Sequence, residues 1–522
     1  MNFINSPMQP KHPRRFLAAL LGLALAFGSC TDLEEVPFTN LASSNFNQNA
    51  DQVGASIRGV YATLANPYDW RYQFLLNDVT TEVGIVPTRG GGWNCCGERP
   101  YHEHTWDAAT EYTQRNYSFY SDIIGRANFL LENVNDTETF SNEIAEARFL
   151  RALAYYQMMD LFGNVPIVTV SVQDPNDLAG NQPLGEQRAK VFAFVEEELR
   201  AVIPDLPLKS EAPASYYPRA TRGAAQALLA KTYLNAEVYS GTARWEDCIA
   251  VCDEIINSGE YELSPSILDN FVPQNQNSVE NIFTSVKSAL ASDQGNGLIQ
   301  YQLMYNGELA PKFNMPASGW GGFAVLEDHY EDYDEDDFRR SFILAGPQFF
   351  DDGTPIYKGA GPNGNGAEAN GQFVINPISD IADAKADEGY RSAKYTPDPT
   401  QNTPYANNDV VILRYADVLL TKAECQIRLR GEGAGDALIN QVRARNFDPA
   451  EPVVLAGLQD ILDERAFEFS IEGHRRPDLI RFGQFTTKDY KFRVNFDDHR
   501  TIFPIPVVEL DRNQNLRQNP GY

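Results

Sequence analysis

The stretch GAAQALLAKTYLNAEVYSGTARWEDCIAVCDEIINSG, residues 223–259, decides the fold. Ala220, Ala224, Ala227 and Ala230 fall on the inner side of a helix predicted over Arg219–Tyr239. Small residues at that spacing let a second helix approach closely. After a short turn, Trp245 to Ser258 predicts that second helix. The pair resembles one tetratricopeptide unit, a helix–turn–helix of roughly 34 residues that buries a core by stacking on its neighbours.

Further helices flank the unit. Upstream, Asn142 to Phe162 places Ala147, Leu150, Leu153, Ala154, Met158 and Leu161 at spacings of three and four, and Gly163 stops it. Val165–Val170 reads as extended, and helices are predicted over Asn47–Leu64, Glu111–Asn133 and Gln187–Val202, the last ended by Pro204. Between Tyr68 and Trp106 the chain is loop-rich, with RGGGWNCCG at its centre. Residues 260–401 are rich in Gly, Pro, Asn and aromatics, which predicts loops with short strands, and GAGPNGNGAEANG at 359–371 is a flexible loop. Helical pattern returns over Val411–Arg430, in GDALINQVRARN, and over Leu455–Gly473. The expected architecture is mostly α. Paired helices over about 41–66, 110–258 and 411–485 carry two variable loop-rich regions, about 67–109 and 260–410. Long loops on a rigid scaffold are where binding concentrates.

The N-terminus reads as an export signal. Lys11, Arg14 and Arg15 precede the apolar run FLAALLGLALAF at 16–27, which has the length of a signal core and is too short to span a bilayer. Gly28 and Ser29 then precede Cys30. Small residues directly before a cysteine read as a lipoprotein signal, so residues 1–29 are expected to be removed and Cys30 to carry the lipid. Lipid chains anchor a protein in proportion to their buried methylenes, about 0.8 kcal/mol each. Residues 30–40 then form a short polar tether.

The formal charge of the 522-residue chain is −28. So acidic a chain argues against nucleic acid and anionic membrane surfaces as ligands. The cysteines are too sparse for a disulfide framework and none form a CxxC pair, so a zinc site is not expected. Cys95 and Cys96 are adjacent and read equally as a vicinal disulfide or as two thiols.

Five segments then carry a resemblance along nearly the whole mature length. They are EARFLRALAYYQMMDLFGNVPIV (146–168), RATRGAAQALLAKTYLNA (219–236), RYADVLLTKAEC (414–425), ERAFEFSIEGHRRPDLIRFGQF (464–485) and IFPIPVVELDRNQNLRQNPGY (502–522). In kind and order they resemble the SusD/RagB-type nutrient-binding lipoproteins of the Bacteroidota outer membrane. TTEVGIVPTRGGGWNCCG (80–97) and HTW (104–106) resemble one branch of that family. The resemblance implies four tetratricopeptide-like helix pairs packed against a variable loop-rich region. It implies a protein without catalytic activity or cofactor, although some members bind structural calcium. It also implies a lipid-anchored lid, facing outward, on a SusC-type TonB-dependent β-barrel transporter, to which oligosaccharides or, in some branches, peptides are delivered.

Sugar binding needs flat aromatic faces for C–H surfaces and planar polar groups for hydroxyls. Trp93, among three glycines, is the first candidate; the other reading is a plug that pins its loop to the scaffold. Arg89 and Asn94 flank it as hydroxyl partners. Trp320 in ASGWGGF has the same chemistry. Trp70, Arg71 and Tyr72 are expected at the same mouth, Asp78 between them and Trp93, and Arg391 as a donor from the second half. Other groups look catalytic but read as structural. Glu468 and Glu472 lie four apart and are expected to pair with Arg465, Arg475 or Arg476 rather than to form a glycosidase dyad. His474 with Asp478 reads as buried polar packing at a helix end. His102 and His104 have weak metal spacing, and EDHYEDYDEDDFRR (327–340) reads as a solvated acidic turn before it reads as a calcium loop. A secreted glycosidase is the reading from another class.

Overall fold

The computed structural model describes residues 49–90, 93, 97–171, 178–288, 303–398 and 405–522. The leader, Cys30, the tether, Asn94, Cys95 and Cys96 lie outside the described residues, as does the side chain of Trp70.

The first helix, α1 (Ala50–Thr63), starts where Asn49 Oδ1 accepts from the Gln52 amide at 3.0 Å, a side-chain cap on an otherwise orphaned N–H. Val53, Ile57 and Val60 turn one face inward. The early loop region contains a helix that its sequence did not announce, α2 (Trp70–Asn77). Asp69 caps it by accepting from the Arg71 amide at 3.1 Å, so a short WRYQFLLN run without clear periodicity still closes as a helix. Next come α3 (Glu111–Asn133) and α4 (Ser141–Leu161), within a residue of their predicted limits. From Phe149 to Leu161 every residue of α4 is buried, so it is the central rod of the molecule rather than a one-faced helix.

Helix α5 (Leu184–Val202) packs on α4, and α6 (Arg222–Leu234) packs on α7 (Trp245–Ser258), the pair that the opening segment predicts. Helix α6 breaks at Asn235, short of the expected Tyr239, and a separate turn of helix covers Ala236–Ser240. Residues 165–170 are without regular secondary structure. Helix α8 (Tyr415–Arg430) lies against α7, and α9 (Asp436–Arg443), α10 (Leu458–Glu468) and α11 (Arg475–Arg481) follow. Among the described residues no helix is long and apolar enough to cross a membrane.

The sheets are small. β1 (Gly84–Ile85) pairs antiparallel with β3 (Ala324–Val325), with Gly84 opposite Val325. β2 (Asn281–Ser285) pairs antiparallel with β6 (Val410–Arg414), and β4 (Ile343–Leu344) with β5 (Arg391–Ser392). The predicted helix over Val411–Arg430 is therefore corrected at its start. Val410, Val411 and Ile412 form a β-branched run that suits a buried strand, and the helix begins only at Tyr415.

Arg414 ends β6 inside a buried ion network. Its guanidinium reaches Glu280 at 2.8 Å, Glu468 at 2.7 Å and Glu472 at 2.8 Å. Arg445 joins Glu280 and Glu468, both at 2.5 Å, and Arg339 reaches Glu464 at 2.6 Å and Glu468 at 3.1 Å. Lys394 closes on Glu472 at 2.5 Å. The expected partners of Glu468 and Glu472 are thus corrected: Arg465 holds Asp417 and Asp478, Arg475 holds Glu82, and Arg476 holds Asp160. Burial works to raise the Glu82 carboxyl, but Arg475 and Lys488 overcome it and hold it at about 2. His474 stacks on Phe469 at 4.4 Å beside Lys231, and burial pushes its ring down to about 3. It stays a neutral packing group at the head of α11.

Candidate functional site

The two-residue ladder between β1 and β3 sets the site, because it lays the loop after Ile85 beside the loop before Ala324. A bridge from Val325 to Tyr390 brings a third loop, around 380–391, to the same place. The ladder carries a small apolar cluster of its own, Ile85, Ala324, Leu326, Ile378, Ile381 and Ala384, whereas Trp93 packs against the main core. Trp93 and Trp320, 227 residues apart in sequence, meet: the Trp93 indole N–H donates to the Trp320 carbonyl at 3.3 Å.

Trp93 is half-buried. Its edge meets the Phe323 ring at 5.5 Å and 85°, and Phe323 in turn meets Phe74 of α2 at 5.5 Å. Its ring lies on the backbone of Gly322, where a Cβ would come within 2.0 Å of the indole. Only glycine at 322 admits the ring so close. Trp93 is therefore both pinned to the scaffold and open on its remaining surface. Trp320 differs: it stands 54 % exposed, between Gly319 and Gly321. A Cβ at Gly319 would meet the Tyr305 carbonyl at 2.0 Å, so the chain bearing Trp320 runs directly over residue 305.

The structure places the expected arginine donors elsewhere. Arg391 is buried, donating to Asn306 Oδ1 at 2.7 Å and to the carbonyls of Phe323, Ala386 and Glu388 at 3.0–3.2 Å. Arg89 is buried too, donating to the carbonyls of Lys385 and, at 2.7 Å, Glu388. Burial lowers Arg89 to about 10, and burial followed by the neighbouring Arg89 lowers Arg391 well below the usual guanidinium range. Both readings as ligand donors are corrected. The two side chains fasten the 385–388 loop against the tryptophan loops, because backbone carbonyls there need donors. Asn306, which the sequence did not single out, belongs to the same clamp through its amide donation to the Ala386 carbonyl.

Asp78 is also corrected to an interior role: Oδ2 accepts from the Gly473 amide at 2.9 Å, and burial raises its carboxyl well above the usual range. Tyr72 is buried against Phe119 and Tyr112 on the α3 side of α2, and Arg71 holds Asp69 at 3.2 Å, so neither is brought to the tryptophans. Trp70 heads α2, and Asn94 lies outside the described residues.

His102 and His104 face backbone carbonyls, those of Lys491 and Gly84 and that of Thr80. In the acidic stretch Asp337 holds Arg339, Glu327 holds Lys491, and Asp328 accepts from the Lys491 amide. Among the described residues no group of three or more His, Cys, Asp or Glu side chains is arranged to hold a metal. Glu468 and Glu472 are buried and held by cations of the ion network, Arg414 among them, not set as a free carboxylate pair.

The arrangement offers two aromatic faces on a fixed backbone, one pinned and one largely in water. Such a surface suits a flat ligand with apolar C–H faces and hydroxyl edges.

Comparison with known proteins follows the same lines. Residues 279–501 match the SusD family, and residues 43–234 match a family described as starch-binding and associating with the outer membrane. The starch-binding protein SusD of Bacteroides thetaiotaomicron is 27 % identical over 462 residues, which cover 80 % of each chain. Among solved structures, a SusD homologue from Bacteroides thetaiotaomicron superposes with a TM-score of 0.73 at 22 % identity, over 92 % of this chain and 98 % of that one. A laminarin-binding SusD-like protein superposes at 0.71 with 24 % identity, over 91 % of this chain and 100 % of that one. With two family matches reaching from residue 43 to residue 501 and the same fold over nine-tenths of its length, the chain belongs to the SusD/RagB family.

Proposed function

We propose that this protein captures neutral oligosaccharides at the Trp93–Trp320 pair and hands them to a SusC-type TonB-dependent β-barrel transporter. In this reading the lipid on Cys30 holds it at the outer membrane, facing outward, and residues 30–40 are its leash. It acts as a binding protein and not as an enzyme. The observation that carries the reading is the half-exposed Trp320 indole, borne on a backbone whose carbonyl accepts from the Trp93 indole N–H. Holding so large an apolar ring in water brings the fold no burial gain. A pyranose stacked on it would recover that burial, and backbone and amide groups of the loops would take the hydroxyls.

Support also comes from the relatives, one named for starch binding and one for laminarin binding. Both ligands are glucans, so maltoheptaose and laminarihexaose are the first probes. Titration calorimetry with a glycan panel and a basic-peptide library separates glycan from peptide cargo. Trp93→Ala is expected to weaken the best oligosaccharide at least ten-fold, about 1.4 kcal/mol. Unchanged affinity would remove Trp93 from the site, and peptide binding without glycan binding would overturn the reading.

A further inference from the structure

A groove of about 330 Å³ opens between the turn at Ala214–Tyr217 and the segment from Gln276 into β2. None of its lining residues belongs to the tryptophan loops. Its volume falls at the lower end of the range for small-ligand sites, about 300–1,000 Å³.

Tyr217 is presented there in an unusual way. Buried tyrosines commonly hide the ring and send the hydroxyl to water. Here the residue is 40 % exposed, while its hydroxyl is tied inward, donating to the Asp409 carboxylate and pairing with the Thr284 hydroxyl at 2.6 Å. Burial and the neighbouring Asp409 raise its pKa, so the hydroxyl stays a donor and the anchor holds. The aromatic face is thus fixed before any ligand arrives, which lowers the ordering cost of binding.

Polar groups line the same groove. The amides of Gln276 and Asn277 are exposed there. Asn281 also lines it but is only 9 % exposed: its amide nitrogen donates to the Asn270 carbonyl at 3.1 Å, and its Oδ1 is closed to solvent.

The two cations at the groove are held differently. Lys209 sits over the Tyr261 ring at 4.8 Å and donates to the Ser278 carbonyl, and Arg219 holds Glu143 and Glu146. No carboxylate lines the groove. What it offers is an aromatic side chain anchored through its hydroxyl and the exposed amides of Gln276 and Asn277, with no carboxylate. A cationic ligand would find no counter-ion there, whereas a neutral sugar supplies both a C–H face for the ring and hydroxyls for the amides.

We propose that this groove is a second saccharide site, taking a short neutral saccharide stacked on Tyr217 with its hydroxyls toward the amides of Gln276 and Asn277. It shares a ligand class with the Trp93–Trp320 reading but stands on separate residues. The test uses saturation-transfer NMR on the full mature chain with neutral di- and trisaccharides of glucose, galactose, mannose and xylose. A Trp93→Ala/Trp320→Ala double variant is expected to keep a signal from at least one sugar. Adding Tyr217→Ala should remove that signal or weaken it at least ten-fold. Adding Ala214→Trp to the double variant instead should do the same by filling the groove from an exposed position, with the Tyr217 anchors intact. A signal that survives both additions, or one already lost in the double variant, overturns the second site; the latter leaves the tryptophan reading standing. A wild-type signal that depends on Tyr217 and not on the tryptophans supports the groove and counts against the tryptophan site. No signal from the wild type overturns both.

Discussion

Arg414 is 1 % exposed and Trp320 is 54 % exposed, the reverse of what each side chain would choose alone. In the scaffold, two segments distant in sequence converge on Arg414, the lead into β2 supplying Glu280 and the end of α10 with its following turn supplying Glu468 and Glu472, so the buried charge is matched. In the loop region a few short strands and glycines leave an indole standing in water with its backbone fixed. Burying charge is tolerable only where a rigid frame brings the partners. Exposing an aromatic ring gains something only when a ligand covers it. In the proposed reading the scaffold carries stability and the loops carry recognition, and the two should fail independently.

The largest expected effect breaks the scaffold side. Arg414→Met leaves Glu468 and Glu472 short of a counter-charge and should cost about 3–5 kcal/mol in urea unfolding. Below its new transition, the variant should bind saccharide with unchanged affinity. Acid comes next. The rings of His474 and His329 are pushed by burial to about 3, against about 6.5 when unfolded. Above pH 6.5 both states are neutral and the rings contribute nothing to the pH dependence. Below it the unfolded chain takes up protons that the fold refuses, so stability falls from pH 6.5 down to 3, by at most about 1.4 kcal/mol per pH unit for each ring. Unfolding curves of a His329→Gln/His474→Gln variant should be flatter than wild type over that window; equal slopes would contradict the buried neutral rings.

On the loop side, Gly322→Ala would drive a Cβ into the Trp93 indole. Overpacking of this kind costs about 1–3 kcal/mol, and here it should also displace Trp93 and weaken saccharide binding. Wild-type affinity in that variant would show that the Trp93 position is not used.

The scaffold was largely legible because helices declare themselves locally. Glu111–Asn133 and Trp245–Ser258 have the limits that apolar spacing predicts. The strand at Val410–Arg414 was read as helix because its partner, Asn281–Ser285, is far away in sequence and periodicity carries no word of it. The two tryptophans of the proposed site stand out in the sequence, since an indole among glycines has few local packing options. Their apposition does not, because it depends on a ladder two residues long. Arg89, Arg391 and Asp78 were misplaced for a related reason. A charged residue in a loop reads as solvent-facing until the fold shows the carbonyls and amides that bury it, here those of Lys385, Glu388 and Gly473.

The most direct measurement pairs thermal unfolding with titration calorimetry on Trp320→Ala, using whichever of maltoheptaose and laminarihexaose the wild type binds better. A half-exposed ring with no structural duty should leave stability within about 0.5 kcal/mol while affinity drops at least ten-fold. Wild-type affinity, or a loss of affinity that only follows a loss of stability, would contradict the claim that the loops recognise the ligand while the scaffold merely holds them.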